Sequence, residues 1–224
     1  MNFLCIIPAR GGSKGIKNKN IVKLKKKKLL EYTLDVANKI KFVKKTILSS
    51  DSRKILNVAK KYKNIITHKR PQYLASDKAL TIDTVRLLLD DEKKLGNKYD
   101  YVIILMATSP LRKINHLTDC IKLVKLKKPD SLVSVHKLGK PLEWLLEKSK
   151  KGFLKEYMGK GSSFGNRQNK NEYFFPNGAI FILSTKKIKQ NGYYFEKTIS
   201  YEMGYFESLD IDYKEDLDIV KRFI

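Results

Sequence analysis

Apolar residues follow two rhythms along this chain. Short unbroken runs at 3–7, 46–49, 65–67, 101–106, 131–135 and 177–183 read as strands. Between them, apolar positions return at helical spacing: Leu30, Leu34, Ala37 and Ile40; Ile55, Val58, Ala59 and Tyr62; Ile82, Val85 and Leu88; Ile114, Leu117, Ile121 and Val124. Tyr213, Leu217, Val220 and Ile224 repeat the spacing at the end of the chain. Strand and helix signals that alternate in this way predict an α/β fold, a mostly parallel sheet covered by helices. The unbroken run 101–106 predicts a strand buried on both faces. Ser50-Asp51 suits the N-cap of the second helix, and the lysines at 25–28 read as a turn before the first. From 137 to 175 the pattern loosens into Gly, Lys, Asn and Ser with scattered aromatics. That stretch is expected to be an insertion that covers a site or meets a partner, within a single domain spanning 1–224.

Composition sets limits on the class. At 224 residues with 42% hydrophobic content the chain can bury one substantial core. No apolar run approaches the roughly 20 residues that a bilayer-spanning helix needs. The first residues lack the pattern of an export signal, and two cysteines, Cys5 and Cys120, form no disulfide framework. A cytoplasmic protein with reduced packing thiols is the expectation. Net charge is +24 (47 Lys and Arg minus 23 Asp and Glu), which raises a basic nucleic-acid-binding protein as a rival reading. The lysines are spread over nearly every expected helix instead of forming a stripe, and there is no Cys/His finger or aromatic-basic string. No nucleic-acid partner is therefore expected.

The first strand runs into Pro8-Ala-Arg-Gly-Gly-Ser-Lys-Gly15, followed by Lys17-Asn-Lys-Asn20. Glycines let backbone amides approach a ligand closely, and Arg10, Lys14, Lys17 and Lys19 add fixed cations. Bare amides with cations at a strand exit are a phosphate cradle. The spacing fits neither Walker A, because Ile16 and Lys17 stand five residues past Gly11 and Gly12, nor Gly-x-Gly-x-x-Gly, because Ser13 follows Gly12. In an open parallel sheet ligands lie beyond the carboxyl ends of the strands. Three more segments fall there: 70–77, 107–112 and 209–212. In the last, Asp210 and Asp212 are two apart and share one face of an extended segment. Two carboxylates opposite a cationic phosphate loop suit Mg²⁺, which takes one or two carboxylates plus substrate phosphates. The alternative role of this Asp-x-Asp is to cap the closing helix. Thr108 and Ser109 offer two hydroxyls beside Pro110, with capping of the helix from Ile114 as their alternative. His68, His116 and His136 have no metal spacing, and Ser109 lacks the Gly-x-Ser-x-Gly context of a serine hydrolase.

Taken together, these motifs resemble the acylneuraminate cytidylyltransferases, the family that includes CMP-sialic acid synthetases and bacterial relatives acting on legionaminic or pseudaminic acid. The resemblance runs from Ile6 to about Leu217. It rests on Ile-Pro-Ala-Arg-Gly-Gly-Ser-Lys-Gly, Lys19-Asn20, Arg70-Pro with Leu74-Ala-Ser-Asp77, Thr108-Ser-Pro-Leu-Arg112, Arg167-Gln168, Pro176-Asn-Gly-Ala-Ile180 and Asp210-Ile-Asp212. It implies a Rossmann-like nucleotide-diphospho-sugar transferase fold with an inserted dimerisation or lid segment, and transfer of CMP from CTP to a nine-carbon 2-keto acid sugar with Mg²⁺ (or Mn²⁺). By the same resemblance Ala9 belongs to the nucleotide-binding set, Arg10 and Lys14 hold the triphosphate, Lys19 faces its β- and γ-phosphates, and Asn20 meets the ribose. Arg70, Ala79 and Thr81 surround the cytosine, while Asp210 and Asp212 hold metal, with Asp212 also a candidate proton acceptor. Thr108, Ser109 and Arg167 fall on the sugar side. Tyr193 and Tyr194 match aromatics that reach a neighbouring subunit's site, which implies a homodimer. Ketodeoxyoctonate cytidylyltransferase is the alternative within the fold, but its family carries a different string after the first Ala-Arg. This chain departs from the sialic acid pattern at Met106, Glu143 and Phe175, all on the sugar side. Loss of an amide and cations there suits a less polar, deoxygenated substrate such as legionaminic or pseudaminic acid.

Overall fold

The structure, a computed structural model, describes residues 1–13, 15–157, 172–189 and 192–224. Strands β1 (Phe3–Pro8), β4 (Lys45–Ser50), β5 (Ile65–Lys69), β6 (Tyr101–Ile104), β7 (Ser131–Lys137), β10 (Phe174–Ser184) and β11 (Thr198–Glu202) form one seven-stranded sheet in the order β11-β7-β10-β6-β1-β4-β5. The β1/β4, β1/β6, β4/β5 and β11/β7 pairs are parallel, and β10 alone runs against its neighbours β6 and β7. Two small hairpins stand apart, β2 (Lys23–Leu24) with β3 (Lys27–Lys28), and β8 (Leu146–Lys148) with β9 (Leu154–Glu156). The second hairpin occupies part of the looser 137–175 stretch, whose residues 158–171 lie outside the described ones.

Side-chain alternation sorts the central strands onto two cores. Phe3, Cys5 and Ile7 of β1, with Tyr101 and Ile103 of β6, enter a core shared with Leu30 and Leu34 of α1 (Leu29–Asn38), Ile55 and Val58 of α2 (Arg53–Ala59), and Leu117 and Ile121 of α4 (Ile114–Lys127). The intervening Leu4, Ile6, Val102 and Ile104 face Ile82, Val85 and Leu88 of α3 (Thr81–Lys94) on the other side. This is the two-residue period of a strand covered on both faces. Phe3 to Ile7 are all at 0% exposure, and each large side chain buried this way contributes about 1.5–3 kcal/mol. Ile40 and Tyr62 continue the helical periodicity of their segments but lie beyond the ends of α1 and α2, although both still pack on the first core. A third cluster holds Leu24 and Leu29 beside Ile211, Leu217 and Val220, and so seats α5 (Lys214–Val220) next to the β2–β3 hairpin.

The caps differ from those the sequence suggests. Ser52, not the Ser50-Asp51 pair, is the N-cap of α2. Asp51 instead accepts a hydrogen bond from the Gly11 amide at 2.8 Å. His116 Nδ1 accepts from the backbone N–H of Lys113, the N-cap of α4, so neither Thr108 nor Ser109 caps that helix. At α5 the N-cap is Tyr213, and the Asp216 carboxylate accepts from the amides of Asp212 and Tyr213 at 2.9 and 2.8 Å. The side chain of Asp212 is left for other work.

Strand β10 carries an irregularity between Pro176 and Phe181, where its pairing with β7 shifts register. Asn177 sits at its centre, buried, accepting from Ser134 Oγ (2.6 Å) and the Ala179 amide (3.1 Å) and donating to Ser208 Oγ (2.9 Å). Gly178 takes φ +72 in this bulge, and a Cβ added there would approach nothing closer than Asp210 Oδ2 at 4.0 Å. Space is available, so conformation alone sets the cost of a side chain. Gly178→Ala is expected to lower stability by about 1–2 kcal/mol, read as a shift in denaturant midpoint with unchanged slope. A neutral effect would show that the bulge relaxes freely.

Candidate active site

The strand order reverses between β1 and β6, since β4 and β5 extend the sheet one way and β7 the other. Such a switch point opens a crevice at the carboxyl ends of the strands. A cavity of about 750 Å³ lies there. Its lining brings together Arg10, Lys19 and Asn20 after β1, Arg70 after β5, Ala79 and Thr81 at the start of α3, Thr108 after β6, and Asp210 and Asp212 before α5. Segments separated by as many as 205 residues (from Pro8 to Tyr213) meet in one wall.

Arg10, Lys19 and Asn20 each donate to an oxygen of the protein. Arg10 Nη1 donates to Asp77 Oδ1 at 2.9 Å and to the Ser76 carbonyl at 3.3 Å. Lys19 Nζ donates to Asp212 Oδ1 at 2.8 Å and to the Ile211 carbonyl at 2.7 Å. Asn20 Nδ2 donates to the Arg10 carbonyl at 2.8 Å and so ties the turn back on the strand exit. The turn is pressed close to the acid segment, because a Cβ on Gly15 would lie 2.3 Å from the Asp212 carbonyl oxygen. Only a residue without a side chain fits that approach.

The two acids differ in setting. Ile211 between them is fully buried in the third cluster, and its amide donates to the Thr108 carbonyl at 3.0 Å. With Ile211 turned inward, its neighbours on either side turn to the cavity. Asp212 is largely exposed, whereas burial raises the pKa of Asp210, with the Thr108 hydroxyl pulling the other way. The Asp212 charge reinforces the rise, while Lys19 and Ser109, whose Oγ lies 3.4 Å from Oδ1, oppose it. Among the described residues no group of three or more His, Cys, Asp or Glu is placed to hold a metal. Two carboxylates that already attract an ammonium suit a hard divalent cation that completes its shell with water and phosphate oxygens. They do not make a closed zinc site.

The remaining residues singled out in the sequence fall as follows. Ala9 is buried behind the wall and donates its amide to the Ser49 carbonyl at 3.0 Å. Tyr193 packs on Phe181 with ring centroids 4.6 Å apart, and it sits beside Thr81, whose hydroxyl partly offsets the rise in pKa that burial causes. Tyr193 thus packs against its own chain beside Thr81, a residue of the cavity lining, and Tyr194 is exposed. Lys14 and Arg167 lie outside the described residues. Of the departures from the sialic acid pattern, Met106 lines the cavity, while Phe175 stands half-exposed on β10 against His136, 5.8 Å between ring centroids. Sequence reasoning placed the segment ending at Asp77 at a strand exit but gave Asp77 no role, and it did not single out Tyr213 as a lining residue or Asp51 as the anchor of Gly11. All three are side chains whose roles depend on contacts distant in sequence.

The family model described as cytidylyltransferase matches residues 4–223. The chain belongs to that family. It is 33% identical to an N-acylneuraminate cytidylyltransferase of Escherichia coli O18:K1:H7 over 219 residues, 97% of this chain and 51% of that protein. The chain therefore spans about half the length of that relative. It is also 30% identical to a CMP-N,N'-diacetyllegionaminic acid synthase of Legionella pneumophila over 229 residues, covering 100% of this chain and 97% of the relative. Among solved structures, a CMP:2-keto-3-deoxy-manno-octonic acid synthetase complexed with CTP superposes with a TM-score of 0.69 at 12% identity, over 100% of this chain and 98% of that one. The likeness confirms the Rossmann-like nucleotidyltransferase fold. No helix among the described residues is long and apolar enough to cross a membrane.

The raised pKa of Asp210 has a consequence for stability. A carboxyl whose pKa rises on folding contributes stability below its ordinary value of 3.8 and loses it as pH climbs through the folded value. At pH 7 the ionised Asp210 is therefore a net cost, and Asn keeps an acceptor for Ser109 without the charge. In metal-free buffer Asp210→Asn is expected to melt at or above the parent temperature at pH 7, with the gap closing towards pH 4. A midpoint several degrees below the parent would show that the charge is fully compensated.

Proposed function

We propose that this chain is a cytidylyltransferase that activates a nine-carbon 2-keto acid sugar: CTP plus the acid gives the CMP-sugar and diphosphate. One observation carries the reading. The glycine-rich loop with Arg10 and Lys19 and the acid pair Asp210/Asp212 meet across one cavity, bonded through Lys19 at 2.8 Å. The family membership and the full-length relative that makes a CMP-activated nonulosonic acid support it.

In this reading the anomeric hydroxyl of the sugar attacks the α-phosphorus of CTP. A new P–O bond forms, the bond to the β-phosphate oxygen breaks, and diphosphate leaves with the electron pair. The hydroxyl proton passes to Asp212, directly or through water. Charge grows on the leaving diphosphate, where Arg10, Lys19 and the loop amides lie, so the chain works mainly by alignment and neutralisation. Asp210 and Asp212 would hold Mg²⁺ or Mn²⁺, which supplies charge stabilisation and a lowered pKa for a bound hydroxyl. Arg70, Ala79 and Thr81 take the base, and Asn20 the ribose. Thr108, Met106 and the 137–175 segment belong to the sugar half. The departures at Met106, Glu143 and Phe175 favour a deoxygenated acid of the legionaminic or pseudaminic type. A homodimer completed by that segment, with Tyr193 and Tyr194 near its junction, is part of the same proposal. So is a cytoplasmic setting, which suits two buried free thiols, with burial pushing Cys5 up to about 12.

The test incubates the protein with CTP, Mg²⁺ and a panel of nonulosonic acids and detects the product by mass. Formation of a CMP-sugar with release of diphosphate, fastest with a legionaminic or pseudaminic acid, is expected. Equal or faster turnover of N-acetylneuraminate would remove the substrate assignment, and no product with any acid would remove the function. Arg10→Ala is expected to lower kcat by on the order of 10²–10³; a drop under tenfold would show that the triphosphate lies elsewhere.

A further inference from the structure

Behind the cavity wall lies a buried polar chain that the reaction does not touch. Ser49, the fifth residue of β4, is at 0% exposure, and Arg70 just after β5 is at 5%. Arg70 Nη2 donates to the Ser49 carbonyl at 2.9 Å and Nε donates to Ser49 Oγ at 3.3 Å. The same carbonyl accepts the Ala9 amide at 3.0 Å, so one backbone oxygen fixes both the exit of β1 and the guanidinium. Ser49 Oγ also lies 3.1 Å from Nδ1 of His68, its register partner on β5. Neighbouring positions on parallel strands project from the same face, which is why the two side chains meet. Among the described residues Nη1 is the guanidinium nitrogen of Arg70 left without a protein acceptor, and Arg70 lines the cavity.

Donor rules orient the chain. Guanidinium N–H groups can only donate, so Nε takes a lone pair of Ser49 Oγ. The hydroxyl keeps a second lone pair and its own hydrogen, so it meets Nδ1 of a neutral His68 in either tautomer, and His68 holds the oxygen that Arg70 Nε uses. Burial lowers the His68 pKa and the positive Arg70 lowers it further, while Asp91 on α3 pulls the other way. A buried arginine with two of its three nitrogens tied to one serine loses its rotamer freedom before a ligand arrives, which is preorganisation.

Resting on the nucleotide-site reading above, we infer that Ser49 and His68 are positioning residues that aim Arg70 at the base of the bound nucleotide. They touch neither the substrate nor the reacting phosphorus. Their loss therefore weakens nucleotide binding and base selection without slowing the chemical step.

The experiment measures CTP binding by calorimetry, and kcat and KM with CTP and UTP, for the parent, Ser49→Ala, His68→Asn, His68→Ala and Arg70→Ala. One hydrogen bond lost from an aiming residue is worth about fivefold. Ser49→Ala and His68→Ala are expected to raise the CTP Kd and KM about fivefold and to narrow the CTP-over-UTP preference, with kcat within twofold. His68→Asn, which retains an amide beside the hydroxyl, is expected to recover most of the affinity. If Arg70→Ala weakens CTP binding but Ser49→Ala and both His68 variants bind it like the parent, the positioning role is overturned and the nucleotide site stands. Loss of kcat with unchanged KM would also overturn it. If Arg70→Ala leaves CTP binding untouched, the placement of the nucleotide fails first. Should Ser49→Ala not fold, the two histidine variants carry the same decision.

Discussion

The site depends on one constraint, the burial of Ile211 between two acids. Its side chain closes the cluster that holds α5 and the β2–β3 hairpin to the sheet, its amide is held by the Thr108 carbonyl, and its own carbonyl receives the Lys19 ammonium. A residue locked at three points cannot rotate, so the alternation of the backbone places Asp210 and Asp212 in the cavity. The glycine-rich loop follows from the same point. Lys19 reaches across 192 residues of sequence to the Ile211 carbonyl, and Gly15 lies so near the Asp212 carbonyl that a methyl group has no room. The start and the end of the chain are therefore one structural unit. A change at any of these contacts is felt in catalytic geometry as well as in stability.

Charge in the cavity obeys a different rule from charge on the surface. Overall the protein carries +24, yet the described lining residues offer three cations, Arg10, Lys19 and Arg70, against three carboxylates, Asp77, Asp210 and Asp212. A site for a bare polyanion would leave its cations uncompensated. A site for a polyanion that brings a divalent cation needs both signs, arranged so that each can exchange an internal partner for an external one. The pairs Arg10–Asp77 and Lys19–Asp212 are exposed enough for such exchange, with side-chain exposures of 35% and 54% in the first and 15% and 63% in the second. Surface ion pairs of this kind are worth little by themselves, about 0–1 kcal/mol, and so can be exchanged at small cost. The excess of lysine elsewhere solvates the outer faces and adds nothing to this local balance.

Much of this was legible in the sequence, and the limits have physical causes. Strands buried on both faces announce themselves as unbroken apolar runs, and the helices by returning apolar positions, so the alternation of β1, α1, β4, α2, β5, α3 and β6 could be read directly. Strand β11 could not. Thr198, Ile199 and Tyr201 are only half-buried at the sheet edge, and one-sided burial leaves a weak pattern. The reversal of β10 was equally hidden, because the apolar run of its buried part (Ala179–Leu183) reads the same in either direction. Motif residues at strand exits could be assigned to one crevice because an open sheet gathers its carboxyl ends. The caps were misjudged at Asp51, where a tertiary contact with Gly11 outweighed the local preference of Asp for a helix start. Asp77, Asn177 and Ser49 act through contacts 31 or more residues away or across strands, and no local pattern encodes those.

The same logic explains why the two halves of the cavity differ in clarity. Groups assigned to the nucleotide are held by the sheet itself: Ala9 and Arg70 share the Ser49 carbonyl, Asn20 holds the Arg10 carbonyl, and the acids ride on Ile211. Each is fixed by backbone oxygens at strand ends, which change little when side chains change. The half assigned to the sugar by proposal has Met106 in its wall and the 137–175 segment beside it, whose described residues include the exposed β8–β9 hairpin outside the main sheet. Under the proposed reaction, rigid backbone on one side would hold the phosphorus in line for attack. Side chains on an appended hairpin can be exchanged without disturbing that alignment. Of the positions that depart from the sialic acid pattern, Met106 lies at the exit of β6 in the cavity lining and Phe175 stands exposed on β10, so neither belongs to the hairpin.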